Sequence, residues 1–97
     1  MKKIIGNKLY DTKKAKKVYS YREKRKTGAW QSINFYNWYD VDIYKTDKGN
    51  YFICGYSRES TWNKDFIEEI TEEKVKEIIK ELSADTYIEL FGEIEEA

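Results

Sequence analysis

The 97-residue sequence predicts an α+β fold, in which a small antiparallel sheet with a central hairpin of about 38–57 packs with a basic N-terminal helix and two C-terminal helices. Three patterns lead to this reading. Tyr39, Val41 and Ile43 alternate with Asp40, Asp42 and Tyr44, the period of a half-buried strand. Val75, Ile78, Ile79 and Leu82 recur at the i, i+3, i+4, i+7 spacing of an amphipathic helix. Ala15, Val18, Tyr19 and Arg22 fall at three-to-four spacing among lysines that lie mostly off that stripe.

The elements follow in order. Ile4-Ile5 and Leu9-Tyr10 flank Gly6-Asn7, a dipeptide suited to positive φ, so the chain opens with a very short hairpin or extended turn. Asp11 or Thr12 then caps a first helix of about 12–22, with a basic exit loop from Lys24 to Gly28. Trp30 to Tyr36 is a candidate third strand beside the hairpin of about 38–45 and 51–57, whose turn is Thr46-Asp47-Lys48-Gly49-Asn50. Gly55 inside the return strand marks a candidate bulge. Ser57 to Asp65 reads as a polar loop carrying Trp62, and Phe66, Ile67 and Ile70 as a last edge strand. Thr71 caps the long helix, with Glu72 and Glu73 in its first turn, where the helix dipole favours anions. Ser83 caps a shorter helix that Gly92 ends, and an acidic tail follows.

A chain this short falls at the low end of the usual domain range, so residues 1–97 are expected to form one domain. No apolar run approaches the ~18 residues of a membrane span, and the N-terminus lacks the apolar stretch of a secretory signal. Cys54 is the only cysteine, which excludes an internal disulfide and fits a reducing compartment, here the cytoplasm. Without histidine, Ser-His-Asp, Cys-His and zinc-finger constellations are all excluded. No phosphate-binding glycine loop or Gly-x-Ser-x-Gly elbow is present, so the expectation is a non-enzymatic binding protein with neither metal nor cofactor.

Binding would use three groups of residues. Ten aromatics crowd positions 30–62, more than one small sheet can hide. Alternation sends Trp38 and Tyr44 to the face opposite Val41, so Trp30, Tyr36, Trp38, Tyr44, Tyr56 and Trp62 form a candidate aromatic docking patch. The zero net charge is a cancellation: residues 1–26 carry eleven Lys/Arg against two acids, residues 68–97 eleven acids against three lysines. Lys13, Lys14, Lys16, Lys17, Arg22, Lys24, Arg25 and Lys26 are candidate phosphate contacts, with sheet aromatics stacking on bases. Glu72, Glu73, Glu77, Asp85 and Glu89 form a candidate acidic face for a basic protein groove. Self-association of the basic end of one copy with the acidic end of another is a third arrangement.

Three strings are recognisable together: Lys3-Ile4-Ile5-Gly6-Asn7-Lys8-Leu9-Tyr10-Asp11-Thr12-Lys13-Lys14-Ala15, then Ile43-Tyr44-Lys45-Thr46-Asp47-Lys48-Gly49-Asn50-Tyr51-Phe52, and Ile70-Thr71-Glu72-Glu73-Lys74 through Phe91-Gly92-Glu93. In this order they resemble a family of small phage and plasmid proteins of Gram-positive bacteria, and the likeness runs nearly end to end. That family includes anti-CRISPR proteins that inhibit Cas9-type effectors, some through the guide RNA. The resemblance therefore implies a mobile-element inhibitor that binds a CRISPR effector or its guide-RNA complex in the bacterial host. The sequence departs from the family in keeping a single glycine, Gly55, after the second hairpin strand, and in lacking the additional domain of several inhibitory relatives.

Overall fold

The computed structural model describes residues 1–58, 64–92 and 95–97. It corrects the expected α+β fold: strands hold 53% of the chain against 21% for helix, and no N-terminal helix forms. Six strands precede two helices: β1 (Lys2–Ile5), β2 (Lys8–Asp11), β3 (Lys16–Trp30), β4 (Ile33–Lys45), β5 (Tyr51–Ser57), β6 (Phe66–Ile70), α1 (Glu72–Leu82) and α2 (Ala84–Phe91). β1 and β2 form a separate hairpin, while β3-β4-β5-β6 form an antiparallel sheet in sequence order.

The segment expected as helix 12–22 is a turn followed by the 15-residue strand β3. Neither Asp11 nor Thr12 caps a helix. The Asp11 carboxylate accepts the Lys13 N–H at 2.9 Å, and the Thr12 N–H donates to the Met1 carbonyl at 3.0 Å. Along β3, Tyr19, Tyr21, Glu23 and Arg25 pair with Ile43, Val41, Tyr39 and Asn37, so they share the inner face. A register shift between Lys17 and Tyr19 lets Val18 and Tyr19 both pack on the core. That bulge breaks the period of two and leaves in the sequence a spacing that reads as helical. The interleaved lysines guard a sheet edge, where charge discourages strand pairing, and do not solvate a helix.

β3 and β4 join through Gln31 and Ser32, both at positive φ (46° and 66°). This is the backbone of a two-residue hairpin turn, normally marked by Asn or Gly, so no sequence signal revealed it. The stretch 30–36 is therefore the tip of one long hairpin and not a separate strand. At Gly6, φ is +61°, as the opening hairpin requires.

Each face of the sheet carries its own core cluster. Tyr39, Val41, Ile43, Tyr51 and Ile53 bury against Val75 and Ile79 of α1, with Tyr87, Leu90 and Phe91 of α2 alongside. On the other face Phe52, Cys54 and Ile67 bury beneath Tyr10 of β2, flanked by Tyr44 and Tyr56. Both helices start on side-chain caps: Thr71 Oγ1 accepts the Lys74 N–H at 3.1 Å, and Ser83 Oγ accepts the Thr86 N–H at 3.2 Å. No helix among the described residues is long and apolar enough to cross a membrane.

Gly55 produces no bulge; its pairings with Val41 and Phe66 stay in register. It makes room instead, since a methyl there would overlap the Phe66 ring. That ring stands edge-on to Tyr39 at 5.2 Å, and the Arg25 guanidinium lies over it at 3.9 Å. Arg25 also bonds the Glu23 carboxylate and reaches Glu68 on the far edge strand at 3.1 Å. One arginine thus ties β3 to β6 across the helix-side face.

The β5 ladder ends opposite Tyr39, and β4 continues back to Ile33 paired with β3. The remaining six residues carry the β3–β4 arm roughly 20 Å beyond the last β4–β5 pair. The radius of gyration, 15.3 Å, accordingly exceeds the ~12.5 Å of a compact chain this size. We expect Gly55→Ala to lower stability by about 1–3 kcal/mol in urea denaturation, because Phe66 must leave its seat. Combined with Phe66→Ala, the glycine substitution should cost markedly less than it does alone.

Candidate nucleic-acid interface

The sheet face opposite the helices is only half covered. The β1–β2 hairpin covers the part around Phe52, Cys54 and Ile67, and among the described residues nothing packs over the β3–β4 half. There β4 presents Tyr36 and Trp38, 52% and 40% exposed, and β3 presents Arg22, Lys24 and Lys26, all exposed. In register Lys24 faces Trp38 and Lys26 faces Tyr36. Each cation leans one position diagonally: the Arg22 guanidinium sits 5.3 Å from the Trp38 ring centre, and the Lys24 ammonium 5.0 Å from that of Tyr36.

Among the described residues β3 and β4 bring two acids to this half of the face, and both are engaged. Asp40 pairs with Arg58 at 3.3 Å, and Asp42 accepts the Ser20 hydroxyl at 2.6 Å. Among the described residues Lys17, Arg22, Lys24 and Lys26 have no carboxylate within ion-pair distance. The surface is a row of exposed cations one strand, ~4.8 Å, from a row of exposed rings.

The sequence-derived sites therefore divide. Tyr36 and Trp38 belong together with Arg22, Lys24 and Lys26, and Lys17 lies on the same face further along β3. Arg25 does not belong: it points to the other side and is held by Glu23, Glu68 and Phe66. Tyr44 stacks on Phe52 at 5.1 Å and Tyr56 packs beside it, so both serve the second core. Trp30, 67% exposed, pairs with Ile33 at the arm's tip and falls on the opposite face from Trp38. Lys13 and Lys14 lie in the turn before β3, and Lys16 pairs with Lys45 at its start. Trp62 lies outside the described residues.

The acidic residues are all exposed on the helices, across the sheet from the basic row. Glu72 bonds Lys76 at 3.6 Å and Glu77 bonds Lys74 at 3.4 Å; Glu73, Asp85 and Glu89 form no ion pair among the described residues. Among those residues no three carboxylates or thiols converge as metal ligands. Ile33 and Phe35, exposed on the Trp30 side of the arm, were not singled out from the sequence. Their signal is the uncharged run Ile33-Asn34-Phe35-Tyr36-Asn37-Trp38-Tyr39. Comparison with protein-family models, with curated proteins and with solved structures finds no match to this chain.

Cys54 is fully buried, and burial pushes its thiol from the usual 9.0 up to about 11. Burial likewise raises Tyr44, helped by Tyr56 and Asp42, from 10.0 to about 12. Tyr21 rises to about 12 through burial and then the Glu23 carboxylate. In each case the folded state favours the protonated form. The stability these groups contribute is whole below their unfolded pKa values and is lost as pH climbs through the folded ones. We expect the melting temperature to hold level up to about pH 9 and fall between about pH 9 and 12. Tyr21→Phe should make that fall shallower.

Proposed function

We propose that this chain is a non-enzymatic nucleic-acid-binding protein that holds a single-stranded segment along the open face of its β3–β4 arm. The observation that carries this reading is the pairing of Trp38 and Tyr36 with Arg22 and Lys24 on one exposed face. Side chains two apart on a strand stand ~6.8 Å from each other, so each ring can receive its own base. The cations over the rings then move to the phosphates, or, for the flat guanidinium of Arg22, stay stacked against a base. Each base–ring stack is worth about 1–3 kcal/mol and tolerates any base, so the expected binding is weakly sequence-dependent. Shallow groove contacts of a duplex would leave the rings unused.

The resemblance to a group that includes Cas9-type inhibitors supports a narrower form of the same reading. In it the strand is guide RNA exposed in an effector complex, and the protein acts in the bacterial cytoplasm. Direct contact with the effector protein is the second reading, favoured by the exposed Trp30, Ile33 and Phe35 on the arm's other face. A pull-down of the effector with and without nuclease separates the two, because only the direct contact resists digestion.

The test of the main reading is oligonucleotide binding across a salt series. Four cations with no ion pair among the described residues, Lys17, Arg22, Lys24 and Lys26, give a slope of log K against log salt of about −2.8 for a single strand. Lys24→Ala or Lys26→Ala should each make the slope shallower by about 0.7, and Trp38→Ala should lower affinity roughly five-fold or more with the slope unchanged. Arg25→Ala should instead act on stability. Binding that ignores salt and survives Trp38→Ala would refute the reading.

A further inference from the structure

At the end of the sheet away from the arm, the β1–β2 hairpin, the turn over residues 11–15 and the β4–β5 turn enclose a half-open cavity of about 370 Å³, within the range of small-molecule sites. Its walls are tied in place. Tyr10 stands on Phe52 with ring centres 5.2 Å apart. The Met1 ammonium donates to Thr12 Oγ1 at 3.0 Å, and the Lys14 N–H donates to the Asp11 carbonyl at 3.1 Å. In the β4–β5 turn the Thr46 N–H donates to the Asn50 carbonyl at 2.8 Å and the Gly49 N–H to the Thr46 carbonyl at 2.9 Å. Every lining residue is described. Arg58, which precedes residues 59–63, is bonded to Trp38, seven residues or ~24 Å of extended chain from Tyr51. Gly92, which precedes residues 93 and 94, ends α2 on the opposite side of the sheet.

Lys8, Lys14 and Lys48 line this cavity from three different segments. All three are exposed and form no ion pair among the described residues. Two carboxylates stand against them, Asp11 and Asp47. Asp11 is engaged, since one of its oxygens accepts the Lys13 N–H at 2.9 Å. Asp47 is exposed in the turn. The Thr46 hydroxyl accepts the Asn50 N–H at 3.1 Å, which leaves its own hydrogen to donate. Leu9, 53% exposed, and Ala15 add an apolar wall.

We propose that this cavity binds a phosphate monoester with a small organic body, of the size of a mononucleotide. Such a group carries about −1.5 to −2 charge at pH 7 over three oxygens, which several ammonium groups can approach at once. A carboxylate, with one charge and two oxygens, would leave a lysine unused. The organic body then meets the rest of the lining: Leu9 and Ala15 lie against its apolar part, and the Thr46 hydroxyl donates to a sugar or base oxygen. A bare phosphate ion would use neither. Two sources offer this chemistry, a free mononucleotide and the 5′-phosphorylated end of a strand lying on the arm's open face. The second source rests on the proposed nucleic-acid reading; the cavity itself does not. Trp38 and Thr46 are eight residues apart along one strand direction, ~27 Å, so only a strand of several nucleotides spans from the rings to the cavity.

The test is an amide chemical-shift titration of the full chain with thymidine 5′-monophosphate, thymidine and inorganic phosphate as separate probes. The monophosphate should move the amides of residues 8–10, 14–15 and 46–50, with a dissociation constant on the order of 1 mM or below. Thymidine and inorganic phosphate should each bind about five-fold more weakly or worse. Lys14→Ala and Lys48→Ala should each weaken the monophosphate about three-fold, and Asp47→Asn should tighten it. Lys13→Ala, outside the lining, should leave it unchanged. All four positions are exposed, and the amide spectrum itself reports that each variant stays folded. No shift at the cavity with tens of millimolar monophosphate, equal binding of thymidine or inorganic phosphate, or indifference to both lysine substitutions overturns the proposal. An oligothymidylate of about ten nucleotides, with a 5′-phosphate or a 5′-hydroxyl, separates the sources. Tighter binding of the phosphorylated strand, lost in Lys14→Ala, assigns the strand end; equal binding of the two assigns the free mononucleotide. Monophosphate binding without oligonucleotide binding refutes the function alone, and the reverse refutes this inference alone.

Discussion

Everything in this molecule hangs on the alternation of β4. Because successive side chains of a strand point to opposite faces, one stretch of sequence has to satisfy two environments at once. Tyr39, Val41 and Ile43 enter the helix-side core and are almost wholly buried, which holds the strand in register against both β3 and β5. The residues between them are thereby committed to the other face. Toward the β4–β5 turn that face is roofed by the first hairpin, and Tyr44 is absorbed into packing on Phe52. Toward the arm nothing among the described residues covers it, and Tyr36 and Trp38 remain in reach of solvent. A one-residue slip would bury the polar set and expose the core, so the site is as firmly registered as the core itself.

A second constraint is the arginine on the inner face of β3. Arg25 lies over Phe66, which is seated on Gly55, and its guanidinium meets carboxylates from its own strand and from β6. This closes one end of the helix-side core, near the last pair of the β4–β5 ladder. Neighbouring positions on β3 therefore have unlike jobs. Arg25 works as a structural clasp, and Lys24 and Lys26 stay exposed on the opposite face. The same run of basic residues supplies both, which composition alone does not resolve.

Much of the C-terminal half was legible because its signals are local. Thr71 and Ser83 cap, Val75 and Ile79 fall on one helical stripe, and the turn through Gly49, at φ +86°, separates two strands of evident period. The N-terminal half misled for physical reasons. The bulge at Val18 disturbs the alternation of β3 and leaves a spurious helical spacing. Lysines suit a solvated helix and a guarded strand edge equally well. The turn at Gln31 and Ser32 uses residues that rarely take positive φ, so the strongest hairpin of the fold had no marker. For the site, Trp38 and Tyr36 could be placed from β4 alone, but their pairing with Arg22 and Lys24 depends on β3 being a strand.

The most direct measurement is an amide chemical-shift titration of the ¹⁵N-labelled protein with a short oligothymidylate at low salt. The account predicts shifts that trace Arg22, Lys24 and Lys26 on β3 and Tyr36 and Trp38 on β4, together with the Trp38 indole N–H, while α1 and α2 stay still. Shifts centred on the helices, or none at oligonucleotide concentrations in the hundreds of micromolar, would contradict it.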